Sequence, residues 1–381
     1  MSLDTSFDIK NIICLYIYDL KNIIDLYNLN KDHQNNIIIT NLYNIPQKYL
    51  NRLNQQIIEQ NKYKYLEKLN EAGNKKFKKV NHIKKTLIEL DASNNKKITN
   101  VNHMKNTLKK LNCNWDSGID QDGISQLNLI ELDASSNKKI TNVNYMKNTL
   151  KILNCCGNSG IDQNGILELN LIELYVTDNK KIKNVNYMKK TLKKLDCSSP
   201  VSEIDQDGIL ELNLIELSVS DNKKIKSVNH MKNTLKILDC SYYSKIDQNG
   251  ISELNLIELY AKNNEEIKNV NHMKKTLKVL DCGWNCGIDQ NGISDLNLIK
   301  LNVFNNKKIN NVNHMKETLK ILSCGWGCGI DQNGISQLNL IELNATDNEK
   351  ITSVNHMKNT LKVLDCDWNC GIDQYGISDL Y

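Results

Sequence analysis

LIELDASNNKKITNVNHMKNT at residues 87–107 runs without a gap into LKKLNCNWDSGIDQDGISQLN at 108–128, and the two 21-residue stretches fit one template. Each has an apolar residue at places 1, 4 and 12 and a small or thiol residue at place 6, with Asn usual at place 9. The tripeptide Ile-Asp-Gln of the second stretch begins again at Ile161, Ile204, Ile246, Ile288, Ile330 and Ile372, so from Ile119 onward the spacings are 42, 43, 42, 42, 42 and 42. Fifteen repeats, the first starting at Leu66 and the last at Leu361, fill residues 66–381, with one inserted residue between Cys197 and Ile204 beside Pro200. A fixed period of this length marks a tandem array, which overrides the two or three domains that 381 residues would otherwise suggest.

A 21-residue repeat cannot bury its apolar side alone. Stacked copies can, because a short strand sends places 4 and 6 to one face and places 3 and 5 to the other. Neighbouring strands then form a parallel sheet over a continuous core. The pattern LxxLxLxxNxI, with Ala, Val or Cys in the sixth place, resembles the leucine-rich repeat superfamily over residues 66–381. That resemblance implies an α/β repeat solenoid, a leucine-rich repeat horseshoe with a parallel concave sheet. After place 12 the two kinds of repeat diverge: the first has apolar residues at places 15 and 18 (Val101, Met104), the second at 17 and 20 (Ile124, Leu127). Short turns are therefore expected on the convex side. At roughly 4.8 Å per strand, fifteen repeats make a sheet about 70 Å long.

The 49 basic and 44 acidic side chains lack the concentrated basic excess of a nucleic-acid binder. IKNIICLYIYDLKNIIDLY, from Ile9, is interrupted by Lys and Asp, which argues against a membrane span, and it lacks a signal peptide's layout. The twelve cysteines are accordingly read as reduced thiols in a cytoplasmic, non-secreted protein. NKKIxNVNHMK alternating with GIDQNGI in an Asn-, Lys- and Ile-rich chain also resembles leucine-rich repeat proteins of giant DNA viruses of the mimivirus type, which implies a host-cytoplasmic location or a structural place in the virion.

The motifs that suggest chemistry have plainer readings. Cys113, Cys155, Cys197, Cys240, Cys282, Cys324 and Cys366 at place 6 alternate with Ala and Val, as small buried hydrophobes do. Cys286, Cys328 and Cys370, four residues further on in the last three repeats of the second kind, have no nearby His to complete a zinc site, and a disulfide within the repeat is the alternative. Asp-Gln-Asn-Gly lacks the later ligands of a calcium loop, so it reads as a turn whose glycine accepts positive φ. Neither metal nor cofactor is expected. The place-9 asparagines, from Asn74 to Asn348, read as a stacked amide ladder satisfying backbone groups. His82, His103, His230, His272, His314 and His356 share a place with Tyr145 and Tyr187 and read as convex-surface residues, not catalysts. Lysine pairs such as Lys138–Lys139 and Lys307–Lys308 form a line that Glu265 and Glu266 interrupt, a solvated rim in preference to a phosphate track.

The outward places of the sheet are where binding is expected. Place 3 carries Glu89, Glu131, Glu173, Glu216, Glu258 and Glu342, with Lys300 the exception, and between them stand Ile152, Ile237, Val279, Ile321 and Val363. Tyr175 and Tyr260 lie at place 5, Phe304 at place 7, and Trp115, Trp284, Trp326 and Trp368 at place 8. Apolar, aromatic and carboxylate groups side by side fit a protein-binding patch, richest in the C-terminal half. Residues 1–65 read as a small helical cap, with helical spacing at Ile9, Ile12, Ile13 and Tyr16 and a second run from Pro46. FDIKNIICLYIYDLKNIIDLYNLNK also resembles a degenerate F-box without its opening Leu-Pro, which implies docking onto a ubiquitin-ligase scaffold. The last repeat ends at Tyr381 without a polar cap, which leaves end-to-end self-association open. These residues together describe a non-enzymatic protein-binding scaffold.

Overall fold

The computed structural model describes residues 41–42, 65–74, 76 and 86–380, and the chain divides into two compact units, Met1–Lys181 and Ile182–Tyr381. Strands form where the template puts places 3 to 5. In the first unit β1 (Asn41–Leu42) precedes β2 (Lys68–Asn70), β3 (Glu89–Asp91), β4 (Lys110–Asn112), β5 (Glu131–Asp133), β6 (Ile152–Asn154) and β7 (Glu173–Tyr175). The second holds β8 (Lys194–Asp196), β9 (Glu216–Ser218), β10 (Ile237–Asp239), β11 (Glu258–Tyr260), β12 (Val279–Asp281), β13 (Lys300–Asn302), β14 (Ile321–Ser323), β15 (Glu342–Asn344) and β16 (Val363–Asp365).

Within each unit consecutive strands pair in parallel with like places opposed, for example Leu238 with Leu259, Leu259 with Leu280 and Leu280 with Leu301. Each unit is thus a leucine-rich repeat solenoid. The inserted residue beside Pro200 leaves the register intact, since Lys194 still faces Glu216; it is absorbed in the turn where Ser199 takes a φ of 138°. β1 pairs with β2 and covers its edge, and the rest of the region read as a cap or F-box lies outside the described residues.

The core is the template made solid. Leu at places 1 and 4 and Ile at place 12 are buried in every repeat from Leu87 to Ile351, and Cys197, Cys240, Cys282 and Cys324 alternate at place 6 with Val219, Ala261, Val303 and Ala345, all at 0% exposure. A close-packed interior accepts a thiol or a methyl at that place because their volumes are similar. Glu71 holds the same place in the first repeat. It is buried, one carboxylate oxygen takes a hydrogen bond from Asn74 at 2.7 Å, and burial pushes its carboxyl up to about 8, so it is mainly protonated at neutral pH.

The convex side consists of single turns such as Asn249–Ile251 and Asn271–Met273, as the short repeat requires. The turn reading of Asp-Gln-Asn-Gly holds: Asp289 Oδ1 accepts from Gly292 N–H at 2.9 Å. The reason for the glycine is corrected. Gly123, Gly165, Gly208, Gly250, Gly292, Gly334 and Gly376 do not have positive φ; a Cβ on any of them would lie 2.1–2.3 Å from a backbone carbonyl oxygen of the preceding repeat. Close backbone approach between turns, not left-handed conformation, demands the residue.

Amide side chains lace the repeats together. Asn306, buried at place 9, donates to Cys282 O at 2.8 Å and Ile288 O at 3.1 Å in the preceding repeat and accepts from Lys308 N–H at 2.9 Å. The asparagines therefore clasp backbone, not one another, which corrects the stacked-amide picture. Gln290 performs a similar task on the convex side, accepting from Asn310 and Asn311 N–H at 3.0 Å each and donating to Asn311 O at 2.8 Å. The second lysine of several pairs also donates to the preceding repeat, as Lys139 does to Ser117 O at 3.0 Å and Lys308 to Cys286 O at 3.1 Å.

The shared His/Tyr place has a physical reason. His272 Nε2 lies 3.2 Å from Ile251 O, and Tyr145 O–H donates to Ile124 O at 2.8 Å, so both residue types offer one donor to the same carbonyl. Burial pulls the His230 and His272 imidazoles below their usual value, so folding favours their neutral form. The stability they contribute is whole above the unfolded value of about 6.5 and is lost as pH falls through it toward the lowered folded value. Replacing both by Tyr is expected to leave the melting temperature at pH 7.5 within about 2 °C and to shrink its fall between pH 7.5 and 5.5. Thermal melts at the two pH values check this; an undiminished fall would remove the titration argument.

Candidate protein-binding face

The outward side chains of the second unit are best read by asking which already have partners. At place 3, Glu216 is 2.6 Å from Lys194 and Glu258 accepts from Tyr260 O–H at 2.7 Å. Burial, then that carboxylate, push the Tyr260 phenol up to about 12. In the first unit Glu173 accepts from Tyr175 O–H at 2.7 Å, while Lys68–Glu89 and Lys110–Glu131 pair at 2.9 and 2.6 Å. The alternating lysines that neutralise these carboxylates were legible at place 3 and were missed. Glu342 differs: its side chain makes no hydrogen bond or ion pair among the described residues, and it lies opposite Ile321 and Val363 in the sheet. Val279 and Ile321 are half-buried and Val363 is 51% exposed.

Place 5 holds a device that sequence reading overlooked. Asp239, Asp281, Asn302 and Asn344 turn a side-chain oxygen onto the backbone N–H two residues ahead, at 3.0–3.1 Å. This local bond bends the chain out of the strand toward place 8. The recurrence of Asp or Asn there was the available signal.

At place 8 the backbone turns left-handed. Asn94, Asp178, Asp221, Asn263, Asn305 and Asp347 have φ between 53° and 60°, and Gly73 and Gly157 have 63° and 65°. These residue types tolerate that conformation. Trp115, Trp284 and Trp368 share it, with φ of 55°, 51° and 60°. At the fourth tryptophan the turn slips by one residue: Gly327 takes the positive φ of 65°, and Asn305 N–H donates to Trp326 O at 2.8 Å. A groove of about 410 Å³, lined in part by Lys307, Asp347, Glu349 and Lys350, opens beside that corner.

The rings meet along successive corners. Trp284 lies 6.1 Å from Phe304 and 5.8 Å from Trp326, centroid to centroid, and Lys262 Nζ stands 5.3 Å from Trp284 and 5.4 Å from Tyr242. Gly325 makes room: a Cβ there would be 2.5 Å from the Phe304 ring. Trp284, Trp326 and Trp368 are 38, 46 and 89% exposed, so each corner ring keeps a face open to solvent and Trp368 nearly all of its surface. Of the residues expected to bind, the structure brings Trp284, Phe304 and Trp326 into one cluster with Lys262 and Tyr242, which were not singled out together. Trp368 has no ring contact among the described residues, and Glu173 belongs to the other unit.

All the described cysteines are free thiols, including the Cys286, Cys328 and Cys370 for which a disulfide was an alternative. Burial pushes Cys286 and Cys328 up to about 11, so their thiols stay protonated and poorly nucleophilic at neutral pH. Among the described residues no cluster of three His, Cys, Asp or Glu side chains could hold a metal, and no helix is long and apolar enough to cross a membrane.

No protein-family model and no curated protein matches this chain. Solved structures similar to it include a chain in the yeast Rad7–Elc1 complex, at 13% identity over 95% of this chain and 98% of that one, with a TM-score of 0.44. An internalin of Listeria monocytogenes, InlF, is similar at 20% identity over 78% and 86%, with a TM-score of 0.44. The functional domain of InlJ from the same organism, described as including a cysteine ladder, is similar at 18% identity over 88% and 65%, with a TM-score of 0.36.

Proposed function

We propose that the chain is a non-enzymatic protein-binding scaffold whose contact face in the second unit centres on Trp284, Phe304 and Trp326, flanked by Val279, Ile321, Glu342, Val363 and Trp368. The observation that carries this is the conformation of Trp284 and Trp368. A bulky residue in left-handed backbone costs about 1–2 kcal/mol, and at the equivalent corners Asn or Gly does the turning without that penalty. Large exposed rings kept at strained positions, next to a carboxylate without a partner and an apolar row, have the composition of interface anchors.

The test uses the residue that other corners already employ. Trp284→Asn, Trp326→Asn and Trp368→Asn together are expected to preserve the melting temperature, because strain relieved at Trp284 and Trp368 offsets the lost ring contacts, and to abolish retention of the partners that wild type captures. An unchanged partner list on a folded variant would remove this face.

The F-box resemblance of residues 1–65 supports a narrower version, in which the captured protein is delivered to a ubiquitin ligase. Co-purification of the ligase scaffold with the full chain, and its loss on deleting residues 1–40, distinguishes delivery from plain scaffolding.

A further inference from the structure

The opposite ends of the same strands carry a second surface, independent of the aromatic corners. At place 2, one residue before each strand, Ile215, Ile257, Ile299 and Ile341 are 47, 43, 46 and 41% exposed. Lys236, Lys278 and Lys320 occupy the same place on the intervening strands and make no ion pair or side-chain hydrogen bond among the described residues. Because the strands are parallel and in register, these residues form one line along the rim, apolar and cationic by turns. Single exposed isoleucines are ordinary on a protein surface; an aligned row with unpaired lysines between them is not.

Spacing selects the occupant. Adjacent strands are about 4.8 Å apart, so isoleucines recur every ~9.6 Å with a lysine midway. An extended peptide repeats the same face every ~6.6 Å, which matches neither interval. A polyproline helix repeats every ~9.3 Å but presents nothing on that face halfway between. An α-helix rises about 5.4 Å per turn, so turn after turn it can set an apolar and then an acidic side chain over successive rungs. The mismatch of ~0.6 Å per rung grows to about half a rung over five rungs, which limits the contact to about four turns.

Charge narrows it further. Glu258 and Glu342 directly follow Ile257 and Ile341 in the chain, so a continuous anionic plane or a polyphosphate backbone laid on the rim would meet carboxylates. A discrete helix with acids only where the lysines stand avoids them.

We infer that Ile257, Lys278, Ile299, Lys320 and Ile341 dock an acidic amphipathic α-helix of a partner protein. Its apolar residues fall at i, i+7 and i+14 and its carboxylates near i+3 and i+10. The experiment is selection from a displayed library of helical 18-residue peptides against the full chain, followed by affinity measurement on wild type and on Ile299→Ser/Lys278→Gln/Lys320→Gln. Enriched peptides are expected to carry that apolar–acidic spacing and to bind the triple variant at least about thirtyfold more weakly, with its melting temperature unchanged. The Trp284→Asn/Trp326→Asn/Trp368→Asn protein should bind them as wild type does, which separates this rim from the corner cluster. Absence of enrichment, enrichment without the spacing, or variant binding within about threefold of wild type overturns the proposal. So does binding of phosphatidylserine vesicles or single-stranded DNA that the triple variant loses.

Discussion

Gly292→Ala is expected to destabilise the second unit by about 3 kcal/mol, at the upper end for inserting one carbon into a packed site. On conformational grounds alone the change should help, by about 0.4–1 kcal/mol, since Gly292 has no positive φ and alanine restricts the unfolded chain. The clash reverses the sign. The new methyl would lie 2.2 Å from Lys268 O, a backbone atom, and the Gly292 carbonyl is held to that same neighbouring turn by Val270 N–H at 3.0 Å. Neither turn can withdraw without breaking the bond that docks them. Urea unfolding of the variant should show a lowered midpoint, and hydrogen exchange should show lost protection at the Val270 amide. A midpoint at or above wild type would mean that the turns do not pack as described.

The second large effect is expected at Asn306. Alanine there leaves two buried carbonyls without their partner, each worth roughly 1–3 kcal/mol, and frees the part-buried Lys308 N–H as well, so a loss of at least about 3 kcal/mol is expected. Asn306→Asp is the sharper probe because its shape is unchanged. A carboxylate can still accept from Lys308 N–H but sets negative oxygen against the Cys282 and Ile288 carbonyls, which raises the folded-state pKa of the new side chain. A carboxyl raised in the fold binds more protons folded than unfolded, so stability is greatest below the unfolded value near 3.9 and declines as pH rises above it. The aspartate variant should therefore trail wild type more at pH 8 than at pH 5. Equal deficits at the two pH values would argue that the side chain does not face those carbonyls.

These two residues also mark how far the sequence could be read. The apolar places, the inward thiols and the strand positions follow from side-chain volume and a two-residue alternation, which are properties of the residues themselves. Asn306 was assigned to backbone satisfaction, but the atoms it serves lie in the preceding repeat, and a period shows recurrence without showing which neighbour is touched. Gly292 illustrates the same limit: glycine signals either a left-handed backbone or a close approach, and only packing decides between them. At place 8 the conformational signal was carried by Asn, Asp and Gly, and reading tryptophan there for its surface alone hid the strain beneath it. The place-2 isoleucines escaped notice because an Ile beside a Leu reads as core, whereas its exposure is set by the rim on which the strand begins.

The two kinds of repeat are not joined alike. Where the second kind is followed by the first, the place-9 asparagine, the convex glutamine, the His or Tyr donor and several lysines all reach across, as at Cys282–Asn306 and Gln290–Asn311. Where the first is followed by the second, the side-chain links are fewer, chiefly an exposed asparagine such as Asn271 donating to Asn291 O and surface ion pairs such as Lys274–Asp295. A gene encoding this chain could therefore lengthen or shorten by the 42 residues that separate Ile288 from Ile330 and keep every clasp with its mate. A change of half that length would bring two like neighbours together and leave one set of donors and acceptors stranded, so inheritance should favour pairs.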